Sequence, residues 1–146
     1  MNAFGSGQYR QTQVTTVDKG RLIILLYEGA IRFIREAARA QAEGDIPAKA
    51  HFINRALDII SELSQSLNMQ EGGEIAVNLK RIYQFWNDHL LKAKVNNRDG
   101  QPLEDVAEMM GSLIEAWQAV CNDAEALRLS QSQEASQAAL TAAKTI

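Results

Sequence analysis

The chain has 146 residues, 46% of them hydrophobic and 23% charged, with a formal net charge of −3 and an isoelectric point near 5.4. That length allows one core, and the composition excludes both a disordered acidic chain and a membrane protein, while the acidic balance excludes the electrostatic footprint of a nucleic-acid binder. Two prolines and nine glycines are too few breakers for the frequent turns of a β-sandwich, so long helices are expected.

Residues 1–17 show no helical period and read as a flexible N-terminal arm. Asp18 is a good N-cap, and the stripe Leu22, Leu25, Leu26, Ala30, Phe33, Ile34 and Ala37 predicts a helix from Lys19 to Glu43. Gly44 suits a C-cap. Asp45 and Pro47 open a second helix, striped by Phe52, Ala56, Ile59, Ile60, Leu63 and Leu67 and ending near Met69. Gly72 and Gly73 mark a turn, after which Glu74 begins a third helix carrying Ile75, Leu79, Ile82, Tyr83, Trp86, Leu90 and Ala93 and stopping near Val95. Turn formers fill Asn96 to Gln101. Pro102, with Glu104, Asp105 and Glu108 to complement the dipole, starts a fourth helix with Leu103, Val106, Met110, Leu113, Trp117, Val120 and Leu127. The Ser, Gln, Ala and Thr of residues 130–146 have little to bury and are expected to fray.

Short connections force antiparallel neighbours. The expected architecture is all-α, an antiparallel up-and-down four-helix bundle over 18–129, between the arm 1–17 and the low-complexity tail 130–146. Basic residues dominate 1–40 and 80–98, acidic ones 41–79 and 99–129, so charge alternates around such a bundle.

Catalytic and cofactor signatures are missing. His51 and His89 lack the Glu three positions earlier that a helical di-iron site needs, and there is no zinc spacing, phosphate loop or nucleophile elbow. No enzyme activity, metal or cofactor is expected. Cys121 cannot form an internal disulfide and reads as a small buried thiol, which suits a reducing compartment. Met1 to Gln13 carry no signal-peptide pattern and no 18-residue apolar stretch exists, so a cytoplasmic protein without membrane insertion is expected. One group-transfer alternative remains: phosphorelay bundles carry a reactive histidine on an outer face, and His51 precedes Arg55 by one turn.

Apolar surface, by contrast, is in excess. The run from Leu22 to Tyr27 covers the whole circumference of a helix, and Ile53, Val77 and Phe85 lie beside or off their stripes. Some of these side chains either complete a central helix or line inter-helix grooves that accept an amphipathic segment of another chain. A third outcome is a homodimer that buries Ile23 and Phe85. In the arm, Tyr9, Val14 and Val17 are apolar anchors able to cover a groove as a displaceable lid.

Tyr9 and Val14, the block LLYEGAIRFI from Leu25 to Ile34, GGEIAVNLKRIYQFW from Gly72 to Trp86, and EDVAEMMGSLIEAW up to Trp117 follow one another in a familiar order and spacing. Over about Tyr9 to Val120 the chain resembles the FliS family of flagellar secretion chaperones. The resemblance implies an antiparallel helical bundle that binds the disordered C-terminal segment of flagellin in surface grooves, prevents its premature polymerisation and delivers it to the cytoplasmic domain of the export gate. It implies a groove-covering and gate-recognition role for Tyr9 and Val14, and cargo or core roles for Tyr27, Ile31, Tyr83, Phe85 and Trp86. By spacing, Tyr83 and Trp86 are core and Phe85 is exposed. The partner-binding set expected from all these considerations is Tyr9, Val14, Ile23, Tyr27, Ile31, Ile53, Val77 and Phe85, on a monomer or weak homodimer. Gly29, costly in mid-helix, is expected to mark a close helix approach.

Overall fold

A computed structural model describes residues 16–144 of the chain. They form four helices and, among the described residues, no strand: α1 (Thr16–Ala42), α2 (Ile46–Gln65), α3 (Met69–Val95) and α4 (Gln101–Lys144). Contacts divide the chain into two compact units, one of residues 23–115 and one whose described parts are 16–22 and 116–144.

In the unit 23–115, local chemistry sets each corner. Gly44, at φ 74°, ends α1. Its N–H donates to the Gln41 carbonyl at 3.1 Å and the Asp45 N–H to the Ala40 carbonyl at 2.9 Å, the paired bonds of a Schellman motif, which needs a left-handed residue. Asp45 then caps α2 by accepting from the Ala48 N–H at 3.1 Å, with Pro47 in the first turn. Asn68 caps α3, accepting from the Gln70 and Glu71 N–H groups at 3.2 and 3.0 Å. Before α4, Asn96 Oδ1 accepts from the Arg98 and Asp99 N–H groups, and Asp99 in turn accepts from the Gln101 N–H at 2.9 Å.

The expected glycine turn takes the form of a kink. Gly73 has φ 53° and ψ −132° within α3, a conformation closed to side chains with a Cβ. One capped turn, Met69 to Gly72, therefore precedes the main helix, which makes α3 start earlier than the sequence pattern indicated. The second helix, conversely, ends at Gln65 and not near Met69, because Ser66 caps it and Asn68 already belongs to the next.

Sequence-adjacent helices run antiparallel. Phe33 meets Phe52 and Gly29 faces Ile59 between α1 and α2. Between α2 and α3, Lys49 reaches Asn96 and Asn97 while Asn54 accepts from Lys94 Nζ at 2.8 Å. His89 of α3 lies 3.8 Å from Asp105 of α4. The core between them holds Tyr27, Ala30, Ile34, Ile53, Ala56, Ile60, Leu63, Tyr83, Trp86, Leu90, Leu103, Val106 and Met110. Its aromatic centre joins Tyr27, Tyr83 and Trp86 at centroid distances of 5.5–6.3 Å. The Tyr27 and Tyr83 hydroxyls hydrogen-bond at 2.8 Å. Burial, then the bond to Tyr27, pushes the Tyr83 phenol far above its ordinary range.

In the second unit, Gly20 faces Cys121 so closely that a Cβ at position 20 would clash with Sγ. Arg21 pairs with Glu125 at 3.1 Å beside this contact. The close approach anticipated at Gly29 belongs here instead, since a Cβ on Gly29 would meet Ile59 Cδ1 at an ordinary 3.5 Å. Asp18 lies inside α1 and does not cap it. The C-terminal tail does not fray before Lys144: α4 continues to that residue, with every side chain from 126 onward exposed.

Candidate functional site

The residues expected to bind a partner divide into three groups. Tyr27 and Ile53 are fully enclosed, at 0% exposure. Tyr27 stands on the buried face of α1 with Ala30, Ile34 and Ala37, packed against Tyr83 and Trp86, and Ile53 joins the core stripe of α2, so neither offers surface to a partner. Their expected groove roles are therefore corrected to core roles. Ile23 and Ile31 are half-buried on α1, one turn on either side of Tyr27. Val77 and Phe85 are exposed, at 38% and 44%. Tyr9 and Val14 lie outside the described residues.

Val77, Arg81 and Phe85 follow one another at i, i+4 and i+8, so they form one ridge along the outer side of α3. Val77 and Arg81 border a shallow cavity of about 520 Å³ that the Gly73 kink opens beside Met69, Glu74 and Asn78. Phe85 lies against His89, ring centroids 4.3 Å apart, and His89 in turn faces Asp105. Exposed Met69 and Ile75 lie at the N-terminal end of α3, and Leu91 and Val95 toward its C-terminal end. A helix with this much outward apolar surface is suited to receive another amphipathic segment.

Two features had no counterpart in the sequence reading. A furrow of about 450 Å³ runs between α2 and α3, floored by Ile60 and Tyr83 and walled by Ser61, Ser64, Gln84, Asn87 and Asp88. Its walls are polar, so apolar periodicity could not reveal it. The other is Lys49, fully enclosed at a core position of α2, whose Nζ donates to the Asn96 carbonyl at 2.7 Å and Asn97 Oδ1 at 2.9 Å. Burial lowers its pKa. It lies four residues before Ile53 on the stripe that the fold buries.

Among the described residues, no group of three or more His, Cys, Asp or Glu side chains could hold a metal ion, and no helix is long and apolar enough to cross a membrane. His51 is exposed, with its ring edge-on to Phe52.

Residues 1–124 match the family described as flagellar protein FliS. The chain belongs to the FliS family. Among curated FliS proteins it is similar to the flagellar secretion chaperone FliS of Vibrio cholerae, 34% identical over 73% of this chain and 77% of the relative. The FliS of Salmonella typhimurium is 32% identical over 75% and 82% of the respective chains, and that of Campylobacter jejuni 31% identical over 84% and 94%. The FliS match ends at residue 124, so the exposed remainder of α4 lies beyond it.

Proposed function

We propose that this chain is a cytoplasmic flagellar secretion chaperone. It binds the disordered C-terminal segment of flagellin, prevents premature polymerisation and hands the subunit to the cytoplasmic domain of the flagellar export gate. Support comes from FliS membership together with relatives named flagellar secretion chaperones. The single structural observation that carries the binding mode is the outward ridge Val77, Arg81 and Phe85 beside the kink cavity of α3. The half-buried Ile23 and Ile31 of α1 offer a second apolar strip.

A disordered cargo suits such shallow surfaces. It can cover a large area while remaining releasable, because ordering it consumes roughly 2–5 kcal/mol of the contact energy. The chaperone makes and breaks no covalent bond. The arm, residues 1–17, covers a groove through Tyr9 and Val14 until cargo displaces it.

Titration calorimetry with a peptide of the flagellin C-terminal segment tests this reading. Binding with a negative heat-capacity change is expected, tighter when residues 1–17 are deleted. Absence of binding at high micromolar peptide would overturn it. So would a stable homodimer in sedimentation that buries Ile23 and Phe85 and leaves no surface for cargo.

A further inference from the structure

A separate seam lies on another flank of α1. Phe33 is about 200° around the helix from Ile31, at about 100° per residue, and so faces α2 where Ile31 does not. Phe33 and Phe52, both half-buried, stack with centroids 6.4 Å apart and planes at 24°. Two side chains of α2 border the pair. The Arg55 guanidinium lies 5.2 Å above the Phe33 ring, and His51 meets the Phe52 ring edge-on at 5.2 Å. Arg32 lies back along α1, its Nη2 3.7 Å from where a Gly29 Cβ would stand, beside Ile59.

The two arginines differ from others on the surface. Arg21, Arg39 and Arg128 each meet a carboxylate, whereas Arg32 and Arg55 form no ion pair among the described residues. Glu36, the nearest acid following Phe33 on α1, is engaged by Arg39 at 3.2 Å. Half-buried rings with one guanidinium over Phe33 and a second back along α1 near Gly29 suit a ligand that is apolar along its centre and anionic along its edges.

We propose that the Phe33–Phe52 seam docks an acidic amphipathic helix of a partner protein, whose apolar stripe covers the two rings and whose Asp and Glu side chains pair with Arg32 and Arg55. Charge selects this occupant. The arm, residues 1–17, carries Arg10 and no acidic residue, so it cannot neutralise the seam. The seam stands apart from the ridge assigned to cargo, and the inference does not depend on that assignment.

The test uses the full chain and two synthetic amphipathic helical peptides with the same Leu stripe, one bearing Glu along its flanks and one bearing Gln. The Glu peptide is expected to bind more tightly, with an affinity that falls as salt rises to about 0.5 M. Arg32→Gln with Arg55→Gln should weaken it about tenfold or more, while the thermal melt and flagellin-segment binding stay unchanged. Phe52→Ser should weaken both peptides. Equal binding of the Glu and Gln peptides, indifference to the arginine changes, or parallel loss of flagellin-segment binding would overturn the proposal. So would concentration-dependent self-association abolished by Arg55→Gln, which would make a second copy the occupant.

Discussion

Replacing Lys49 by Met tests the energetics of the α2–α3 corner, because the structure places an ammonium where the packing asks for an apolar side chain. The charged donor makes two hydrogen bonds, at 2.7 and 2.9 Å, each worth about 1.5–3 kcal/mol when an ionised group is involved. Against them stands the desolvation of the ammonium, several kcal/mol for a buried ion. Burial lowers the pKa of Lys49, the direction in which desolvation acts against these bonds. Asn96 and Asn97 are exposed, so water can satisfy their acceptors once the lysine is gone. Lys49→Met is therefore expected to leave stability at neutral pH unchanged or raised by about 1 kcal/mol, while amide exchange at Asn96–Asp99 quickens. The pH dependence fixes the sign independently. Below its folded-state pKa, the lysine's burial weighs on the native state in full. Between that pKa and 10.5 the native protein has lost the proton and the unfolded chain still holds it, so stability rises with pH. Urea melts from neutral pH towards pH 10.5 should show wild type gaining on Lys49→Met. A loss of more than about 2 kcal/mol at neutral pH, or wild type losing ground as pH rises, would show that the hydrogen bonds outweigh desolvation and that this reasoning fails.

Gly73→Ala forces a Cβ into the φ 53°, ψ −132° conformation of the α3 kink and should cost about 1–3 kcal/mol, read as a lower midpoint in thermal denaturation. Gly20→Ala runs into Cys121 Sγ; overpacking of about 1–3 kcal/mol should appear together with faster labelling of Cys121 by a thiol reagent. Val77→Ser and Phe85→Ser change exposed side chains and should shift stability by about 0.5 kcal/mol or less, yet weaken binding of the flagellin segment in calorimetry.

Helical periodicity made most of the core legible. Ala56, Ile60 and Leu63 of α2, Leu79, Tyr83, Trp86, Leu90 and Ala93 of α3, and Leu103, Val106 and Met110 of α4 are buried as their spacing required. Phe85 is exposed and Cys121 buried, also as expected. The stripe expected for α1 was rotated from the face that is buried: Tyr27, Ala30, Ile34 and Ala37 go inside at helical spacing. Lys49 likewise stands at helical spacing with the buried Ile53 and Ala56, and a corner of carbonyl and amide oxygens accepts its protons. Leu22, Leu25 and Ile75 carry the apolar pattern but remain exposed, since a stripe read from one helix does not reveal where its neighbour ends. The Phe33–Phe52 seam was unreadable for a related reason: it requires two helices in register, and each contributes only one ring.

The three-residue corners at 43–45 and 66–68 have a kinetic consequence. They tie successive helices to their sequence neighbours, so many native contacts along α1, α2 and α3 close small loops, the topology that reaches its folded state in microseconds to milliseconds. Ribosomes add about 5–20 residues per second. In the proposed role, a client whose recognised end is the last to be synthesised would find its escort already assembled.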